Sequence, residues 1–240
     1  MISSVCFALL RLFRPDRIQH MPRLIVKNIV YYTRRYFDSR FDRKYGLETV
    51  NRVELDSLSI DSANKVYGVL YEATPVHTFR AIIGSLPIML SDYVFVDFGS
   101  GKGRVLIAAA EQGFKQVIGV EFSRELCGIA ERNLNSYNAK RRTDTVVDIH
   151  CMDATEFEIP DSPCVLYLFN PFDRPVLERV VENIKRSYER NPRKIYIVHY
   201  NPVNTDLFSG WASLKKINTR DTVFELAGPI KRRFVSYEVV

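Results

Sequence analysis

From residue 92 onward, apolar and polar positions alternate between two spacings. Short apolar runs at Tyr93–Phe98, Gln116–Glu121, Thr145–His150, Cys164–Phe169 and Lys194–Tyr200 read as strands, while Arg104–Gln112, Arg124–Ser136 and Arg174–Arg190 read as helices between them. Strands that alternate with helices at this spacing predict a parallel sheet joined by right-handed crossovers. The tail breaks the rhythm. Thr222–Leu226 and Arg233–Val239, joined through Gly228-Pro229 with no helix between, predict an antiparallel pair. The expected fold is therefore α/β: a doubly wound, mostly parallel seven-strand sheet closed by a C-terminal antiparallel hairpin, with a helical extension at the N-terminus.

Ahead of this region, Pro22–Tyr45 reads as a helix with an early proline and Gly46 as its stop; Ile25, Ile29, Tyr32 and Tyr36 form one apolar stripe. Residues 47–72 lack periodicity and are expected to wrap the domain as loop and short strand. Thr74-Pro75 reads as an N-cap followed by proline at the first helical position, opening a helix to about Ser85. The chain divides into a basic extension, 1–72, and a larger domain, 73–240, with no internal repeat.

Charge sharpens that division. The chain carries a net +6, whereas residues 1–45 hold ten Arg/Lys against three Asp, so the remainder is close to neutral. Such asymmetry fits an anionic partner for the basic helix, nucleic acid or membrane, or else a solvated face on a helix that packs on its own domain. The four cysteines, Cys6, Cys127, Cys151 and Cys164, form no C-x-x-C pair, so neither a zinc site nor a disulfide framework is expected. The six-residue apolar run Val5–Leu10 is far short of the roughly 20 residues that span a bilayer. Its arginines follow it rather than precede it, against a signal peptide, and the expected location is cytoplasmic.

The chemistry concentrates where the first strand meets the first helix of the alternating region. The run from Val94 to Arg104 places Gly99, Gly101 and Gly103 directly after an apolar strand, where a sharp turn lets backbone approach a ligand. A dinucleotide fingerprint counted from Gly99 or Gly101 needs glycine where Arg104 or Leu106 stands. A P-loop needs glycine where Val96 stands, and Ser or Thr where Gly103 stands.

What remains, Asp-x-Gly-x-Gly-x-Gly from Asp97, resembles the first motif of the class I S-adenosylmethionine (SAM)-dependent methyltransferases, over about residues 70–240. The resemblance implies SAM as cofactor. Its carboxylate would meet the helix N-terminus, and its ammonium would meet Asp97. It also implies that Glu121, 18 residues after Gly103, holds the ribose hydroxyls. Asp153 would then accept from the adenine amino group, with the backbone of Ala154 at the ring. Taken alone, each acid also reads as a cap or surface group.

At the end of the fourth strand, Asn170-Pro171-Phe172 resembles the Asn/Asp-Pro-Pro-aromatic element of methyltransferases that act on nitrogen. In those enzymes a side-chain oxygen and a backbone carbonyl orient the acceptor nitrogen, and the aromatic packs on it. This chain has one proline where nucleic-acid amino methyltransferases usually have two, which tells against a base as acceptor; a protein acceptor is expected over nucleic acid or a small molecule. Asn170 or Asp173 capping the following helix is the structural alternative. Upstream, Tyr71-Glu72-Ala73-Thr74-Pro75 resembles an element that precedes the cofactor motif in seven-strand protein-lysine methyltransferases, which adds Thr74 to the cofactor candidates. Glu72, His77 and Tyr200 are the candidate bases. A non-catalytic protein of this fold that binds through its basic helix is the reading from another class.

Overall fold

The structure, a computed structural model, describes residues 23–50, 72–141, 144–221 and 233–240. Five strands run parallel: β1 Val94–Phe98, β2 Gln116–Glu121, β3 Val146–Cys151, β4 Cys164–Leu168 and β5 Ile195–Tyr200. With β6 Leu214–Asp221 and β7 Arg233–Val239 they form one sheet in the order β3-β2-β1-β4-β5-β7-β6, with both pairings of β7 antiparallel. The strand order reverses between β1 and β4, so a crevice opens at the carboxyl ends of the central strands.

Helices α1 Arg23–Tyr45, α2 Val76–Ile83, α3 Arg104–Gln112, α4 Arg124–Lys140 and α5 Arg174–Arg190 complete the described framework. All five residues of β1 are buried, as expected of a central strand covered on both faces. Side chains alternate between those faces. Phe95 joins a core made with Phe79, Ile83, Leu106 and Tyr167, whereas Val94, Val96 and Phe98 join another built on the Val176, Val180 and Ile184 stripe of α5.

Three local expectations are corrected. The buried face of α1 is Asp38, Phe41, Asp42 and Tyr45, and Tyr32 and Tyr36 of the expected stripe are 66% and 39% exposed. The cause lies in α3: its first residue, Arg104, is buried, and its guanidinium stands 3.0 Å from Asp38 and 3.6 Å from Asp42. A buried cation needs carboxylates, so α1 docks its C-terminal half through the acidic positions. Thr74 does not cap α2. Its hydroxyl pairs instead with the Tyr167 hydroxyl of β4 at 3.0 Å, and Pro75 occupies the cap position. Finally, the strand paired with β7 is Leu214–Asp221, while the expected arm at 222–226 lies outside the described residues.

Among the described residues no helix is long and apolar enough to cross a membrane.

Candidate active site

Each strand end delivers one part of the site to the crevice. After β1 the chain turns through Gly99, Gly101 and Gly103 at φ 77°, 54° and 79°, a region side chains disfavour. The turn is tied to β2. The amides of Gly99 and Ser100 donate to the Val120 carbonyl at 2.8 and 3.1 Å, and the Gly101 amide donates to Glu121 Oε2 at 2.8 Å. The other oxygen of Glu121 accepts from the Ser123 amide at 3.0 Å, and the Ser123 hydroxyl in turn caps α4 at the Leu126 amide. One carboxylate thus links the glycine turn, β2 and α4, and the Phe122 backbone bonds to it as well.

Asp97 and Glu121 are both buried. Burial and the nearby Glu121 charge hold the Asp97 carboxyl well above the usual carboxylate range, and burial also pushes Glu121 up, against the pull of its amide donors. Two neighbouring buried carboxyls form a site that gains from a ligand bringing a cation and hydroxyl donors.

A cleft of about 330 Å³, counting its open mouth, lies beside them. Gly99, Asp153, Ala154 and Phe172, four of the residues singled out in the sequence, come together in its wall, and Val120, Phe122, Met152 and Val176 complete it. The pattern of acids and glycines carried no sign of Phe122 or Met152; each directly follows a strand, and position relative to the strand end is the signal that finds them. The lining is mostly apolar, with one carboxylate. Asp153 Oδ1 accepts from the amide and hydroxyl of Thr155 at 2.9 and 2.8 Å, so it also caps the short turn Ala154–Glu156.

The acceptor-side element sits on the glycine turn. A β-carbon placed on Gly99 would lie 2.6 Å from Pro171 Cβ, so the missing side chain is what admits the Asn170-Pro171-Phe172 turn. Asn170 adopts φ 43°, and Asp173, at the cap position of α5, makes no side-chain cap bond. Thr74 and the candidate bases stand apart from the cleft wall. Glu72 pairs with Arg34 at 3.2 Å, His77 is held neutral to about pH 4 by burial, and Tyr200 is fully buried with its ring 4.6 Å from Phe169.

Comparison with known proteins agrees with this geometry. Residues 95–191 match a methyltransferase domain family. Over 127 residues the chain is 28% identical to a histone-lysine N-methyltransferase of Chaetomium globosum, H3 lysine-79 specific, in a match that covers 53% of this chain. The chain spans about a fifth of the length of that curated relative, 22%. The Escherichia coli methyltransferase candidate yhhF shares the fold with a TM-score of 0.50, at 14% identity over 76% of this chain and 90% of that one. An RNA methyltransferase from Salinibacter ruber, solved with S-adenosyl-L-homocysteine (SAH), aligns with a TM-score of 0.46, at 18% identity over 70% and 94%. The chain carries a methyltransferase domain of the α/β kind, and its cofactor is SAM.

Proposed function

We propose that this SAM-dependent domain transfers a methyl group to an amino nitrogen, with a protein lysine side chain as the acceptor. The observation that supports the reading is the seating of Pro171 on Gly99 of the glycine turn, between Asn170 and the Phe172 ring that lines the cleft. The similarity to a histone-lysine enzyme supports lysine over other nitrogens.

In this reading the apolar walls Phe122, Met152 and Ala154 hold the adenine, Asp153 takes its amino group, Glu121 the ribose hydroxyls and Asp97 the ammonium. When bound, SAM supplies an electrophilic methyl carbon on a sulfonium. The residues of the chain supply position. The Asn170 amide oxygen accepts an N–H of the amine and aims its lone pair, while Phe172 packs on the side chain and excludes water. The amine must arrive neutral, since a lysine ammonium has a pKa of about 10.4. None of the candidate bases lines the cleft, so solvent takes that proton. Residues 73–240 act as the catalytic unit. The exposed Arg35, Arg40, Arg43 and Lys44 of α1 suit an acidic surface on the partner.

The test is incubation of the purified chain with tritiated SAM and a cell extract, followed by separation into protein, RNA and small-molecule fractions. Label in protein that is released by acid hydrolysis as Nε-methyl-lysine is expected, and Asn170→Gly should abolish it. Label confined to RNA or small molecules would overturn the reading.

A further inference from the structure

The Asn170-Pro171 turn has a counterpart on the neighbouring strand. β4 and β5 run parallel with Leu168 beside His199. One residue further on, Phe169 and Tyr200 pack ring against ring at 4.6 Å. The next residues along the two chains are Asn170 and Asn201, each followed by proline, Pro171 and Pro202. Adjacent strands run about 4.8 Å apart, so the two Asn-Pro turns leave the sheet side by side.

Both asparagines have positive φ, 43° at Asn170 and 50° at Asn201. Among the described residues Asn204, which starts a short 3₁₀ turn, is the one other non-glycine residue with positive φ. Positive φ strains a residue with a side chain, and a following proline restricts the backbone further. Glycine would relieve this at either position, and the chain does use glycine for positive φ at 46, 99, 101, 103, 113 and 210. Retaining the amide at both strand ends points to a use for it.

The chemistry of the pair is one-sided. A proline offers no N–H, so each turn presents a backbone carbonyl and an amide oxygen without the usual following donor. Both asparagines are half-buried and within reach of a ligand. The second turn is also anchored, because the Asn201 amide donates to the Arg233 carbonyl of β7 at 2.7 Å. Two such acceptor-rich turns at the ends of neighbouring strands fit a group that carries several N–H donors.

We infer that Asn201 is a second acceptor-binding residue, which takes one N–H of the incoming amine while Asn170 takes another. This rests on the amine-acceptor reading above. Two oxygens on two N–H groups leave the nitrogen lone pair as the remaining direction, which one contact alone would not fix. The occupant is an alkyl amine bearing at least two hydrogens.

The probe is a nitrogen analogue of SAH whose bridging nitrogen carries a 2-(butylamino)ethyl arm, a mimic of the lysine side chain, compared with the same molecule bearing an all-carbon arm. Calorimetry on the wild-type chain should show the amine arm binding at least about 10-fold more tightly, the scale of hydrogen bonds to a charged donor. Asn201→Gly, which keeps the backbone conformation, should lose most of that gain while SAH affinity stays unchanged. Asn201→Asp should retain or increase the gain, since a carboxylate still accepts from the cationic arm. If the wild-type chain shows no gain, the amine reading itself fails, and this inference with it. A gain lost in Asn170→Gly but kept in Asn201→Gly would overturn the second contact alone.

Discussion

Replacement of Gly99 by alanine tests whether the glycine turn after β1 and the Asn170-Pro171 turn after β4 form one unit. Two costs arise. Alanine at φ 77° pays about 1–2 kcal/mol for the left-handed backbone. Its β-carbon would also lie 2.6 Å from Pro171 Cβ, well inside the roughly 3.5–4.0 Å of normal carbon contact. Pro171 yields poorly, because its ring fixes φ and it follows a strained Asn170. Overpacking of this kind costs about 1–3 kcal/mol, which brings the total to about 2–5 kcal/mol. Gly113 supplies the control: it has φ 79° with nothing within 4 Å of its added β-carbon, so Gly113→Ala pays the backbone cost alone. Urea unfolding at constant m should therefore separate the two variants by about 1–3 kcal/mol. Turnover per folded molecule should fall in Gly99→Ala by up to about 100-fold, as Pro171 moves and carries Asn170 with it, and should hold in Gly113→Ala. Equal stability losses, or normal turnover in folded Gly99→Ala, would refute the argument that the two turns are packed as one.

Four further outcomes are expected. Glu121→Gln puts an amide N–H against a backbone donor and removes a charged acceptor, so SAM affinity by calorimetry should drop roughly 10- to 150-fold. Arg104→Met leaves Asp38 and Asp42 buried without their cation and should cost about 3–5 kcal/mol in urea unfolding at pH 7; adding Asp38→Asn and Asp42→Asn should recover most of it. The buried ring of His199 stays neutral in the folded chain down to about pH 4, whereas the unfolded chain takes up a proton near 6.5, so this stability is complete above 6.5 and lost as pH falls. The loss reaches about 3 kcal/mol at pH 4; His199→Leu should remove that share of the acid sensitivity and leave the parallel share of His77. If the acceptor is the proposed lysine and solvent takes its proton, log kcat/KM should rise about one unit per pH unit from neutrality towards pH 10, and a plateau near pH 7 would reveal a base in the site.

Most of the sheet, and the strand ends that border the cleft, were legible in the linear order of residues. Strands and helices alternate in β1 to β5, and in such a sheet ligand groups lie at the carboxyl ends of strands, which is where Asp97, Glu121, Asp153 and Asn170, singled out through the family resemblance, stand. Periodicity also placed α5, whose buried face is apolar from Val176 to Ile184. Where an element buries charge or borders solvent, the same reasoning fails. β6, Leu214–Asp221, is an edge strand of the sheet and exposes Lys215 and Lys216; an edge avoids further pairing through such residues, so its pattern resembles a loop. The inner face of α1 is set by Arg104, more than sixty residues away, and a carboxylate looks solvent-facing until its buried cation is known. The contact of Pro171 with Gly99 and the pairing of Thr74 with Tyr167 likewise arise from tertiary packing, which joins positions that no local spacing connects. Local sequence determines which face of an element avoids water; only the packed chain decides which polar groups meet on the other side.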